Sequence, residues 1–335
     1  MLAQVNFGTY GRWFPPQLSV HGGDIDYLID IVHYFMLLLF VAWGSFFVYA
    51  LFKFRQREGH KASYHLVKGK ISKLAEALVI AFEFLVLVAF SMPVWATYKN
   101  DPPTSADRVE VRCVGQQFEW LFHYPGPDGK FGPRNASLIT TSNPLGLDEA
   151  APDSADDIQL INEFHIPTGR DIYVRITSKD VIHSFSIPTM RVKQDAIPGM
   201  EIPVWFKVKE GATSHAMKFE MTRDYGIDEL NWYKLRHHVA VDDYRDKSGQ
   251  VIFAKGNDLG STYVDGQKRI DQLRAAGVAS VKLEPRAPLE VVCAQLCGNS
   301  HFKMKAQMIV HTSSEYEEWV KEKSKPQADV EFEGF

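Results

Sequence analysis

The residues best equipped for chemistry lie in one short stretch, Cys293-Ala-Gln-Leu-Cys297-Gly-Asn-Ser-His301-Phe-Lys-Met304. Two thiols, an imidazole and a thioether so close together make a set of soft metal donors. Positions 293, 297, 301 and 304 also fit the buried stripe of a helix. Against that stripe, Leu289–Cys293 is rich in β-formers and Gly298-Asn299-Ser300 is turn material, so a loop leaving a strand end is expected. A local disulfide is another reading, although three cysteines in 335 residues are too few for a framework of bridges.

Zinc accepts two thiolates and two imidazoles in a tetrahedron. Met304 points instead to copper, because a thioether contributes little to zinc. A blue single-copper site uses one cysteine, and a second thiolate suits two coppers sharing both sulfurs. Each copper then needs an imidazole of its own. His183, in Asp180-Val-Ile-His183-Ser-Phe-Ser-Ile-Pro188, is the best placed second histidine, while His123, His165, His215 and His311 read as surface or internally satisfied.

The elements that must position these ligands are short β-branched and aromatic runs beyond Asp101-Pro102-Pro103. Expected strands are Val109–Val114, Phe118–Tyr124, Asp171–Ser178, Val181–Ile187, Val204–Val208, Met217–Met221, Leu289–Cys293 and Ala306–His311, a pattern that implies a Greek-key sandwich or barrel. Two segments stand outside it: a polar loop at 133–160, and a long polar insertion at 222–287 with a short helix around Lys268–Ala276. Loops this long in a compact domain are functional or disordered, and the insertion is a candidate docking element. Ser313–Lys323 reads as a surface helix capped by Ser313 or Ser314.

Ahead of this domain, Tyr27–Phe52 and Ala75–Tyr98 are almost continuously apolar. About 20 residues suffice to cross a bilayer core, so the two runs predict a transmembrane hairpin over 27–98. The connection at about 53–74 holds Lys53, Arg55, Arg57, Lys61, Lys68, Lys70 and Lys73 against Glu58 alone, which makes it cytoplasmic by the positive-inside rule. Residues 1–26 and everything after about 99 then face outward. The stretch before the first helix has no positive n-region, so that helix is expected to be an uncleaved anchor. Glu76 and Glu83 lie in the second run, where carboxylates are expensive and point to function.

Residues 1–100 carry nine Lys/Arg against six Asp/Glu, net +3, and the remainder carries twenty-eight against thirty-five, net −7. An acidic outer part attracts basic partners and disfavours nucleic acid.

The hairpin, Gly115-Gln116-Gln117-Phe118-Glu119-Trp120, the Asp180–Pro188 segment, Gln194-Asp195-Ala196-Ile197-Pro198-Gly199 and Cys-x3-Cys-x3-His-x2-Met together resemble subunit II of cytochrome c oxidase. The likeness spans nearly the whole chain apart from the two polar segments. It implies a two-helix transmembrane hairpin followed by an all-β cupredoxin-like Greek-key barrel at 99–312, with the insertion at 222–287 and a C-terminal helix and tail at 313–335. It also implies a dinuclear copper centre, CuA. Cys293 and Cys297 would bridge both coppers, His183 and Met304 would complete one, and His301 and the backbone carbonyl of Gln295 the other.

By the same resemblance, the chain would take electrons from a cytochrome c, or from a complex-bound cytochrome c domain. It would pass them to haem in subunit I, where oxygen is reduced to water with proton pumping. A CuA subunit of a nitric oxide reductase is the alternative, and a membrane-anchored copper chaperone would need an open, exchangeable site. Electrons would arrive near Trp120 and Phe118, the latter standing where the family has tryptophan. Glu76, counted back from Pro93, falls at the mouth of a proton-uptake channel. Gln295 replaces a glutamate that helps bind magnesium, and a neutral amide is a poorer ligand for that hard cation. The chain lacks Cys-x-x-Cys-His, so no covalent haem is expected. Its partners would be subunit I, other oxidase subunits and membrane lipid, with the copper domain on the periplasmic side of a bacterial inner membrane.

Overall fold

A computed structural model of the chain describes residues 14–59, 61, 64, 69–231, 235, 238–256, 263–285 and 288–324. The first expected segment (1–26), the connecting loop (53–74), the 222–287 insertion and the C-terminal tail therefore fall partly outside the described residues. Two compact units emerge, residues 21–102 and the remainder of the chain.

In the helical unit, α1 (Gly22–Lys53) has 32 residues. A second helical stretch, Lys70–Asn100, has 31 and is built of α2 (Lys70–Val86), a π turn (Leu87–Ser91) and α3 (Met92–Asn100). Both stretches are long and apolar enough to cross a membrane, and their most apolar windows are unburied within the protein. The π turn has a local cause. Pro93 lacks an amide hydrogen, and its ring would collide with the Ala89 carbonyl in a regular helix, so the backbone widens just before it. The first helix begins at Gly22, ahead of the apolar run, because Asp24 suits the first turn.

The other unit holds fifteen labelled strands among its described residues. Eight come first: β1 (Val109–Gln116), β2 (Glu119–Tyr124), β3 (Ile158–Ile161), β4 (Glu163–Pro167), β5 (Asp171–Ser178), β6 (His183–Ile187), β7 (Val192–Ala196) and β8 (Ile202–Lys207). The insertion carries β9 (Arg223–Gly226), β10 (His238–Ala240), β11 (Tyr244–Arg245), β12 (Val251–Phe253) and β13 (Ser280–Pro285), and β14 (Glu290–Cys293) and β15 (Lys305–His311) close the domain. One five-stranded sheet runs β3-β2-β1-β5-β8, the other β4-β15-β14-β6-β7. The β1–β5 and β4–β15 pairs are parallel and the rest antiparallel.

Alternation with period two builds the core between these sheets. Ile172, Val174 and Ile176 of β5 are fully buried, as are Trp120 and Phe122 of β2, Phe164 and Ile166 of β4, and Phe185 and Ile187 of β6. Residues 14–20 join this unit. Leu18 N–H donates to Thr189 O at 2.8 Å, Lys209 N–H to Leu18 O at 2.8 Å, and the Leu18 side chain is fully buried.

Several expectations are corrected. Met217–Met221 is not a strand but part of helix α4 (Ser214–Met221). Its two methionines are four apart, a helical spacing, and Met217 is buried in the main core. The 133–160 loop contains two short 3-10 turns, Ala136–Leu138 and Pro152–Ser154, and gives way to β3. The insertion is a folded element: β10-β13-β9 form a sheet, β11 and β12 a hairpin, and α5 (Tyr263–Ala275) starts ahead of the expected Lys268. Leu230, Leu235, Ala240, Phe253, Ile270, Leu273, Val281 and Leu283 give it a core of its own. The last helix, α6 (Ser313–Lys323), has the expected bounds, but its cap is Thr312, in a capping box with Glu315.

Candidate metal centre

Strand β14 delivers Cys293 to the end of its sheet, and the chain leaves it as a loop. Ala294 N–H donates to Ser184 O at 2.9 Å, which ties the loop to β6 beside His183. A 3-10 turn, His301–Lys303, then brings Met304 back, and Cys293 N–H donates to Met304 O at 3.1 Å. The motif is thus a loop closed on a strand end, not a helix.

The donors converge. Cys293 Sγ lies 3.9 Å from Cys297 Sγ, 3.9 Å from His183 Nδ1 and 3.2 Å from the Gln295 carbonyl oxygen. Cys297 Sγ lies 3.5 Å from His301 Nδ1 and 3.7 Å from Met304 Sδ. His183 and Met304 are almost wholly buried, and both thiols nearly so. His183, Cys293 and Cys297 form a group that could hold a metal ion, their ligand atoms lying within 4.8 Å of one another.

The chemistry of this set fits copper. The cysteines are free thiols, far beyond the ~2.05 Å of a disulfide. Two thiols, two imidazoles, a thioether and a carbonyl exceed the four ligands a structural zinc takes, and they match the soft donors that copper selects. Burial, and then the neighbouring Cys293, push the Cys297 thiol up to about 11. A metal cation is what would draw protons off such a pair.

Three residues support the ligands; the sequence marks them only as members of the Gly115–Trp120 and Asp180–Pro188 segments and assigns them no role. Asp180 Oδ1 accepts from His183 Nε2 at 2.8 Å, turning Nδ1 toward sulfur. Burial pushes the Asp180 carboxyl up, but hydrogen bonds from Gln117 N–H, His183 and Val181 N–H outweigh it and hold it below its usual range. Gly115 lies against His183, where a Cβ would come within 2.9 Å of the ring. Gln117 donates its side-chain amide to the Cys297 carbonyl.

The remaining expected residues fall as follows. Trp120 is fully buried and edge-on to His183, with ring centroids 6.0 Å apart. Phe118 is only partly buried and packs on the core beside it. The Gln295 side chain is exposed. Glu76 lies on α2, in the other unit. His123 pairs with Asp157 at 2.7 Å and His165 with His311 at 2.9 Å, so these histidines are engaged away from the sulfur atoms.

A two-sheet domain with a strand-end sulfur and imidazole centre, preceded by two helices long and apolar enough to cross a membrane, is cupredoxin-like in architecture. Residues 109–218 match the family model described as cytochrome c oxidase subunit II, periplasmic domain. The chain is 24% identical over 325 residues to the alternative cytochrome c oxidase subunit 2 of Bradyrhizobium diazoefficiens, an alignment covering 96% of this chain and 88% of that protein. It is 25% identical over 211 residues to cytochrome c oxidase subunit 2 of Cereibacter sphaeroides, covering 59% and 67%. A crystal structure of the periplasmic domain of subunit II from Bradyrhizobium japonicum aligns at 20% identity with a TM-score of 0.32, over 67% of this chain and 96% of that one. The family match and the curated relatives show that the chain is similar to subunit II of cytochrome c oxidase. The nitric oxide reductase alternative is not favoured.

Proposed function

We propose that the chain relays electrons from a cytochrome c to the haem-bearing subunit I of a respiratory oxygen reductase. One observation carries this reading: two thiols, two imidazoles, a thioether and a backbone carbonyl close on one point at the end of a β-sandwich. Copper bound there would supply a one-electron redox couple. Cys293, Cys297, His183, His301, Met304 and the Gln295 carbonyl would hold the copper. Rigid support limits ligand movement between oxidation states, which favours fast transfer.

Phe118 is the nearer of the two aromatic residues to solvent, and electrons would arrive over it, with Trp120 behind it against His183. Glu76 would lie at a proton-uptake mouth in the assembled complex, and a Glu76→Gln oxidase with normal turnover and pumping would rule that out. The exposed amide of Gln295 offers a weak magnesium ligand at best. The β domain would lie on the outer, periplasmic face, a reading that the basic residues of the connecting loop support. Because the insertion has its own core, it can serve as a docking element for the donor; deletion with unchanged cytochrome c oxidation would discard that role.

The decisive experiment is purification of the intact complex from membranes, with copper and haem analysis and EPR. A delocalised two-copper signal is the expected result. No copper attributable to this chain would sink the reading.

A further inference from the structure

The turn between β1 and β2 touches the ligand loop through one side chain. The Gln117 amide donates from Nε2 to the Cys297 carbonyl, and its backbone N–H donates to Asp180 Oδ2 at 2.7 Å. The other oxygen of Asp180 holds His183 Nε2 at 2.8 Å. A single residue of one sheet is therefore joined to both ligand-bearing segments of the other: the start of β6, with His183, and the loop after β14, with Cys297.

The close approach has its own device. Gly298 sits at φ +138°, and a Cβ there would come within 2.8 Å of Gln117 Nε2 and 3.0 Å of Phe118 Cζ. Glycine both adopts this backbone conformation and leaves room for the amide.

The geometry points to Gln117 as a positioning residue of the metal centre, a strut that fixes the spacing between the Cys297 sulfur and the His183 imidazole. It offers no ligand atom itself and acts through the Cys297 peptide and through Asp180. Groups in this outer layer set ligand orientation and metal affinity. The amide orients the Cys297–Gly298 peptide, and with it the thiol, while the backbone N–H fixes the carboxylate that sets the imidazole tautomer. This inference rests on the copper reading.

Three variants of the full chain, assembled in its complex, test it. Gln117→Met keeps the length and removes the donor, Gln117→Lys keeps a donor, and Gly298→Ala pushes the amide away. Copper affinity would be read by competition with a chelator, alongside visible and EPR spectra and thermal unfolding of the copper-free protein. Gln117→Met and Gly298→Ala are expected to bind copper on the order of 10-fold to 100-fold more weakly with altered spectra, and Gln117→Lys to stay near the parent. A purely structural role would lower the unfolding temperature and leave the spectrum of the bound copper unchanged, which would overturn the inference. So would Gln117→Met with parental affinity and spectrum. A parent chain that takes up no copper would defeat the metal centre itself, an outcome distinct from failure confined to the variants.

Discussion

The imidazole of His183 donates from Nε2 to Asp180 Oδ1 across 2.8 Å, and the His183 side chain has no solvent exposure. With that nitrogen committed, only Nδ1 is free to meet the sulfur atoms, 3.9 Å from Cys293 Sγ.

Removing the carboxylate should loosen the ring without deleting a ligand. Asp180→Ala is expected to weaken copper binding on the order of 10-fold to 100-fold. Chelator competition measures this, and parental affinity would show that His183 needs no orienting partner.

Gly115→Ala tests how tightly the second histidine is boxed in. The added methyl would lie 2.9 Å from His183 Cδ2 and 3.1 Å from Trp120 Cζ3, two buried rings with nowhere to move. Overpacking of this kind costs about 1–3 kcal/mol. Denaturant unfolding of the copper-free protein should show it, and an unchanged midpoint would mean that the site yields.

At the opposite end of β15, His165 stacks on Trp319 with ring centroids 4.2 Å apart and pairs with His311. Burial, followed by the neighbouring His311, pushes the His165 imidazole down to about 3. Its folded pKa lies below the unfolded value of about 6.5, so the unfolded state binds more protons between the two. The contribution of His165 is complete above pH 6.5 and is lost as pH falls toward 3, by at most about 1.4 kcal/mol per pH unit. Urea titrations across this window should give a shallower slope for His165→Gln; identical slopes would refute the assignment.

The last helix distinguishes neighbouring hydroxyls. Thr312 accepts from Glu315 N–H at 3.3 Å and its own N–H donates to the Glu315 carboxylate at 2.8 Å. Thr312→Ala should cost about 1 kcal/mol, and Ser313→Ala much less. Equal losses would undo the capping assignment.

Features carried by local pattern were legible in the sequence. The alternation of Asp171–Ser178, the apolar runs and the loop character of the metal motif all reappear in the structure. What depended on distant partners was not. β4 and β7 are short and partly polar, and they become strands only through β15 and β6. Met217–Met221 carries β-compatible residues, yet packing decided for helix. The insertion's apolar residues are scattered through polar sequence, and only folding gathers Leu235, Ile270 and Val281 together. The Gln117–Asp180–His183 link spans more than sixty positions, and no spacing rule announces it.

Residues 14–20 lie in the β domain although they precede the first apolar helix, and Ser19 pairs antiparallel with Val208. If the two apolar helices cross a bilayer, the face that carries that domain must therefore also receive residues 14–20. A soluble fragment cut to start at residue 103 would be born with an empty slot where Leu18 belongs.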